Sequence, residues 1–480
     1  PPPPGSTHHL KRKPKPKPPP KQHPLLSNYL FNGDAKSLTR SEFTSREVTA
    51  WGGLALLKRM LDGLDFKAAL QSWDLPPPGS NRGYAPAQLI EQMIVSIWCG
   101  AARFAHADIT RLDATLVRLF DWGHAAGHKA IVRLFQRFDQ PSASRVQASS
   151  HRWLFDKLHL NPITLDVDST VLTRWGSQIE GGAKGYNPKN RGRSSHHPLL
   201  AFVADWRLVA NFWLRPGNTS SSNNILSFIE STLENLGTTK VGLFRADSGF
   251  YDKTIVSLLT TKGISHIISA RLTQALQQAI VDNCQWQQVA PGLDVSELAY
   301  QPHDWGAIQR IVVVRQHVQR KAGSVAGKTL SLFADDADLQ GWRYGAMLTD
   351  LKIPALEVWR LYRGRADCEN RIKELKADFG LDSFVLRDFW ATEAALGVTM
   401  LAYNLMSVFR HTVMRQNVHH TLATLHHKVM AVGALWDDHA SNCSRPAFRL
   451  AVARKRRPWF EGLWANAGEQ VKLTPTVKKS

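Results

Sequence analysis

The sequence predicts an α/β protein: a helical domain in front, a central α/β domain carrying a mostly β insertion, and a helical region behind. Three observations carry that expectation. Apolar residues recur at three- and four-residue spacings up to about residue 160, the period drops to two near residue 162, and the helical period returns after about residue 389.

Residues 1–43 stand apart as a basic, Pro-rich tail and linker, with Lys11-Arg12-Lys13 followed by alternating Lys and Pro. Such composition buries too little apolar surface to offset the cost of ordering, so disorder is expected, either as a solvated tail or as a nonspecific phosphate-binding arm. The first residue is not Met, which points to processing or to an artificially added segment, so this stretch is kept out of the fold reading. From 44 to 160 helical patterns run over Trp51–Leu70, Pro86–Cys99, Ala107–Phe120, His128–Phe138 and Ser144–Leu158. Turn signals such as Pro76-Pro77-Pro78-Gly79 separate them. Scattered Arg, Lys and His suggest a DNA-binding domain, without a clean helix-turn-helix.

The central domain, 161–388, opens on Pro162–Leu172, which alternates apolar and β-branched residues with Asp166 and Asp168 on one face. A Gly-rich basic loop, Gly181–Arg193, follows. His196–Ala204 and Leu208–Leu214 then read as a hairpin turning at Asp205-Trp206-Arg207. Asn223–Leu236 is helical, Lys240–Asp247 is a buried strand ending at an Asp, Ile255–Lys262 is a helix and Ile264–Ser269 a short strand. The insertion at about 270–350 contains alternating runs at Ile308–Arg315, Lys328–Phe333 and Tyr344–Thr349. Strand, strand, strand, helix, strand, helix, strand and a late helix is the ribonuclease-H-like order. The 389–480 region is read as helical and a candidate for dimerisation, with a basic cluster at Arg454–Arg457.

Composition bounds the partner. The chain's 60 Lys and Arg outnumber 40 Asp and Glu, for a formal charge of +20 and an isoelectric point near 9.9. An excess of that size calls for a polyanion, and nucleic acid fits better than a membrane surface. No window approaches the ~18 uninterrupted apolar residues of a spanning helix and no signal peptide is evident, so no membrane partner and a cytoplasmic location are expected. Four cysteines (Cys99, Cys284, Cys368 and Cys443) lie far apart without a CxxC pair. That suits a reducing compartment and offers no zinc site, and His196-His197 lack a third ligand at metal spacing. Sixteen tryptophans suffice for core and interface, with some left to stack on bases.

The late helix is expected over Tyr362–Lys376. At about 100° per residue, Tyr362, Arg365, Glu369, Lys373 and Lys376 fall within about 80° of one another, beside an apolar stripe of Leu361, Cys368, Ile372 and Leu375. One carboxylate is thus ringed by cationic and phenolic groups, either as a surface helix with spaced ion pairs or as a metal-binding Glu flanked by phosphate-gripping residues. In the ribonuclease-H-like order, Asp168, Asp247 and Glu369 converge. Hard oxygen donors of this kind suit magnesium, and a pair of ions about 3.5–4 Å apart can activate a water or a 3′-hydroxyl.

The spacing of Tyr362, Arg365, Glu369 and Lys376 resembles the Tyr-(2)-Arg-(3)-Glu-(6)-Lys signature of bacterial DDE insertion-sequence transposases. Asp166–Thr170, Gly185–Lys189 through Ser195–Leu199, Arg215–Asn218 and Arg245–Tyr251 look like that group's thirteen-eighty branch, over about residues 45–430. The resemblance implies cut-and-paste DNA transposition with two Mg2+ ions per site, Mn2+ substituting, held by Asp168, Asp247 and Glu369. It implies a β insertion between the second Asp and the Glu, here 369 − 247 = 122 residues apart. It further implies DNA contacts by Tyr362, Arg365 and Lys376, with Lys373 beside them, to double-stranded terminal inverted repeats and target DNA, and a homodimer in the active complex in a bacterial, nucleoid-associated setting. Asp168 is preferred to Asp166 because the family's Ser-Thr dipeptide follows it directly. A tryptophan that relatives carry after the signature Arg is Ala366 here. A catalytically silent DNA-binding protein and a nuclease or resolvase of the same fold are the alternatives.

Overall fold

A computed structural model describes residues 44–80, 83–158, 160, 162–317, 341–438 and 446–469. The expected tail at 1–43 and the run Lys328–Phe333 lie outside the described residues. Residues from Glu47 onward form one compact unit.

Strand β1 (Val48–Thr49) leads into α1 (Leu54–Gly63), α2 (Phe66–Ser72), α3 (Pro86–Trp98), α4 (Asp108–Arg111), α5 (Ala114–Leu119), α6 (His128–Phe135) and α7 (Gln140–Lys157). Where periodicity suggests one helix over Trp51–Leu70 the chain makes two, because Asp65 adopts a left-handed backbone (φ 54°) between them. Helix α7 starts ahead of the expected Ser144. Asp139 accepts from the Ser142 amide at 2.9 Å while the Ser142 hydroxyl accepts from the Asp139 amide at 3.0 Å, a reciprocal cap.

The α/β part contains β2 (Ile163–Ser169), β3 (Leu172–Thr173), β4 (Ala183–Lys184), β5 (Ser194–His196), β6 (Leu199–Val203), β7 (Leu208–Trp213), α8 (Ile225–Leu236) and β8 (Val241–Ala246). It continues with α9 (Lys253–Thr261), β9 (Ser265–Ser269), α10 (Gln274–Asn283), β10 (Gln287–Ala290), β11 (Leu293–Tyr300), β12 (Gln309–His317) and β13 (Trp342–Thr349). Last come α11 (Ala355–Arg363), α12 (Ala366–Ala377), α13 (Phe389–Phe409), α14 (Leu422–Leu425), β14 (Ala434–Asp437), β15 (Ala447–Leu450) and α15 (Arg457–Gly468).

A nine-stranded mixed sheet organises the molecule, in the order β10-β11-β12-β13-β9-β8-β2-β6-β7. β2 runs parallel to β8, and β8 to β9, while β6 and β7 form the antiparallel hairpin. The inserted strands do not close into a sheet of their own. β13 pairs antiparallel with β9 (Leu348 opposite Ile268), so the insertion lengthens the central sheet.

Helix α13 is buried on nearly every face, as its apolar sequence requires. It packs on β7, α3 and α7. Its Asn404 side chain accepts from the Val209 amide at 2.7 Å and donates to the Val209 carbonyl at 2.8 Å, satisfying an edge strand that would otherwise be open. The Trp98 indole of α3 donates to the Ala402 carbonyl at 3.1 Å. The amino- and carboxyl-terminal helical segments therefore share one core. They also share a small sheet, β1-β14-β15, in a region expected to be only helical. A second apolar cluster, with Ile267, Val295, Val312, Val314 and Met347 around Val358, seats α11 on the lengthened sheet.

Candidate active site

Register brings the first two carboxylates together. In the parallel pair β2–β8, Asp166 lies opposite Arg245 and Val167 opposite Ala246, so the next residues, Asp168 (still paired with Leu200 of β6) and Asp247 (just past β8), follow side by side at the carboxyl end of that pair. Carboxyl ends of adjacent strands are where open α/β sheets place their chemistry. Asp168 is buried and accepts from the Ser169 amide at 2.8 Å. Asp247 is more exposed and caps a short 3-10 turn, accepting from the Gly249 amide at 2.8 Å.

The third carboxylate arrives on α12, and here one expectation is corrected. The stretch Tyr362–Lys376 is two helices, α11 and α12, with a turn at Gly364-Arg365. The cause is remote in sequence: the Arg245 guanidinium donates to the Leu361 carbonyl, which a continuous helix would offer to the Arg365 amide. The Arg365 amide bonds the Tyr362 carbonyl instead, at 2.9 Å. A Cβ at position 364 would sit 2.7 Å from the Arg245 Nη1, so glycine belongs there. Glu369 falls in the first turn of α12, exposed, where the helix dipole favours a negative charge.

Arg365 turns inward. Its Nη2 lies 3.2 Å from Asp168 and 3.9 Å from Asp247, and donates to the Val167 carbonyl at 3.3 Å, while its buried Nε has no partner. Burial raises the Asp168 carboxyl to about 6. Arg365 opposes that shift, whereas Asp247 and Glu369 add to it. Burial works against the Arg365 charge too, yet Asp168, Tyr362 and Asp247 hold it firmly protonated. Burial raises the pKa of the Tyr362 hydroxyl, against the pull of the Arg365 charge and of nearby Ser269. Lys376 donates to the Thr170 hydroxyl at 2.7 Å and the Val171 carbonyl at 2.9 Å, just past Asp168. Lys373 is exposed. Of the predicted residues, then, Asp168, Asp247, Tyr362, Arg365 and Lys376 gather at one edge, with Glu369 close enough to act on Asp168 electrostatically. Among the described residues no three His, Cys, Asp or Glu side chains stand close enough to hold a metal ion as placed. The donors are nonetheless all hard oxygens with mutually repelling charge, and that fits a divalent cation.

Asp166 has a different place. Fully buried, it binds Arg245 through both oxygens (2.7 and 2.9 Å) and approaches Arg371 at 3.5 Å. Arg371 also donates to the Ala204 carbonyl at 2.8 Å and to Asp367 at 3.1 Å, and Asp367 meets Arg207 at 2.6 Å. Each of Asp166, Arg245, Asp367 and Arg371 stands two positions from Asp168, Asp247 or Glu369. This ion network fastens the elements bearing all three carboxylates. Glu374 anchors the far end of α12, bonded by Arg410 (2.5 Å), His419 (2.9 Å) and the Leu422 amide (3.0 Å).

Sequence reasoning weighed His197 for DNA contact and metal binding but missed its place beside Asp168. Its Nδ1 bonds the Thr219 carbonyl at 2.8 Å, which leaves Nε2 to accept from the Ser169 hydroxyl at 3.1 Å, next to Asp168. Burial lowers its pKa, against the pull of the Asp247 charge. The hint in the sequence was the His196-His197 pair just ahead of a buried strand.

Residues 32–457 match the family described as transposase DDE domain group 1. No curated protein matches the chain. Among solved structures it is similar to a piggyBac transposase synaptic complex with hairpin DNA, determined by cryo-EM. That likeness covers 81% of this chain and 83% of the other, at a TM-score of 0.43 and 10% identity.

Proposed function

The chain belongs to the transposase DDE domain group 1 family and is a DNA transposase, and we propose that Asp168, Asp247 and Glu369 are the carboxylates with which it cuts and rejoins DNA. The observation that carries this reading is the side-by-side placement of Asp168 and Asp247 at the carboxyl ends of parallel neighbours, with Glu369 on a helix fastened to the same strands. The run β7-β6-β2-β8-β9 supports a ribonuclease-H-like core.

Asp168, Asp247 and Glu369 would hold magnesium, or manganese in its place, as a pair of ions. When bound, the metal supplies Lewis acidity at the scissile phosphate. The protein's own groups do the rest. Tyr362, Arg365, Lys373 and Lys376 receive the DNA backbone. A water attacks the phosphorus at the element's end, the P–O bond to the 3′-oxygen breaks, and that oxygen leaves as a 3′-hydroxyl. The hydroxyl then attacks a phosphodiester of the target, releasing another 3′-hydroxyl. The substrate is a bacterial insertion sequence of the thirteen-eighty branch, its inverted repeats held by a homodimer in the cytoplasm. Among the described residues no helix is long and apolar enough to cross a membrane.

Asp247→Asn and Glu369→Gln are expected to abolish nicking of end-bearing DNA and to leave DNA binding within about threefold. Full cleavage by either variant refutes the site. Joined product with a target duplication, assayed with the wild type, separates a transposase from a nuclease that only cuts.

A further inference from the structure

Beside the two aspartates runs a short chain of hydroxyls whose direction is fixed from one end. It is held in a turn, residues 219–223, between β7 and α8. The His197 amide donates to the Arg215 carbonyl at 3.0 Å, and the Arg215 Nε returns a bond to the His197 carbonyl at 3.0 Å. Buried Arg215 also donates through Nη1 to the Ser220 carbonyl at 2.9 Å and to the Asn223 carbonyl at 2.8 Å. A guanidinium spent on several main-chain carbonyls holds that turn in one shape, because its donors are set in a rigid plane. From the turn, the Thr219 carbonyl meets the His197 ring at 2.8 Å and the Ser221 hydroxyl meets that of Ser169 at 3.1 Å.

The polarity of the chain follows from the ring. A neutral imidazole nitrogen can bond a carbonyl only by donating, so Nδ1 carries the proton and Nε2 a lone pair. Ser169 then gives its one hydroxyl proton to Nε2, and its oxygen accepts from the Ser221 hydroxyl. Ser221 has spent its proton inward, and what it offers the site is an acceptor. The place of that acceptor is set by the same residues that hold the carboxylates. The Ser169 amide donates to Asp168 and the Gly249 amide to Asp247, both at 2.8 Å. Ser221 touches Ser169 through its hydroxyl, and a Cβ at position 249 would lie 3.1 Å from the Ser221 Oγ and 2.9 Å from the Asp247 Oδ1. Glycine there lets hydroxyl and carboxylate oxygens approach the same point, and half-buried Ser221 stays within reach of solvent.

A nucleophile arriving between Asp168 and Asp247 brings an O–H of its own, whether it is water in the first cut or a 3′-hydroxyl in the joining step. Its lone pair points at phosphorus only while its hydrogen is held elsewhere, and orientation of that kind lowers a barrier. We propose that the Ser221 oxygen accepts the nucleophile's O–H as a hydrogen bond and so aims it, while Ser169 and His197 are positioning residues that keep Ser221 an acceptor. No proton crosses the chain in this role. It rests on the transposase reading and deepens it.

The test sets single-turnover nicking of end-bearing DNA, with protein in saturating excess and Mg2+ present, against Mn2+ affinity read by calorimetry. Ser221→Ala and Ser169→Ala are each expected to slow nicking about tenfold, with Mn2+ affinity and DNA affinity in EDTA within about twofold. Because the two hydroxyls act as one chain, the double variant is expected to be no slower than the slower single variant. Ser221→Thr, which restores the hydroxyl, is expected to recover most of the rate. Losses that multiply in the double variant overturn the proposal. So does a fall in Mn2+ affinity that matches the fall in rate, since the hydroxyls would then only hold the carboxylates in place. Full-rate nicking by Ser221→Ala removes this role and leaves the transposase chemistry standing, whereas wild-type protein that binds Mn2+ and end-bearing DNA yet never nicks removes both.

Discussion

Arg365 illustrates how one side chain can set the balance of a site. It neutralises part of the charge of Asp168 and Asp247 where burial already makes ionisation of Asp168 costly. Not every buried acid has such relief. Glu393 of α13 is buried, with one oxygen accepting from the Leu214 amide at 3.3 Å and the other unpartnered, and burial pushes its pKa up to about 8. The folded state therefore keeps this proton up to about pH 8, while the unfolded chain releases it near the ordinary glutamate value. Folding takes up a proton between those limits, so stability falls as pH rises through the window. Glu393→Gln is expected to flatten that slope, raising the melting temperature at pH 8.5 and changing it little at pH 4.5, as differential scanning calorimetry would read.

Among the elements, β2 and α12 show what can and cannot be read from a sequence. Alternation alone put Asp166 and Asp168 on one face of a strand, and Asp247 at the end of another, because period-two patterning fixes strand faces and ends. It could not separate the roles of Asp166 and Asp168, which depend on Arg245 and Arg371, far along the chain. An arginine in the otherwise apolar strand Val241–Ala246 was the available clue, since a buried guanidinium needs an acid. The helix break at Gly364 was equally hidden, being made by the same Arg245. Removing the Asp166 charge would leave two buried guanidiniums short of a partner. Asp166→Asn is therefore expected to cost about 3–5 kcal/mol in urea denaturation, along with cleavage. Asp168→Asn relieves a carboxylate whose ionisation burial disfavours and leaves Asp247 facing Arg365, so it is expected to lose cleavage at a smaller cost in stability than Asp166→Asn.

For the molecule as a whole, the sequence suggested a helical domain at each end, yet the two ends close over one another. Local periodicity carries no information on which helix meets which, so the packing of α3 and α7 on α13 was out of reach. A chain ended at Asp388 would leave bare the faces of α3, α7 and β7 that α13 covers. Its soluble fraction on expression is expected to fall to about a tenth of wild type or below, with strong binding of a hydrophobic dye. The same wiring bears on the order in which the parts become complete. Glu369 rides on a helix braced from behind by Arg410 and His419, and β1 waits for β14. A nascent polypeptide still on the ribosome thus holds α12 without the braces that only the last segments of the chain supply.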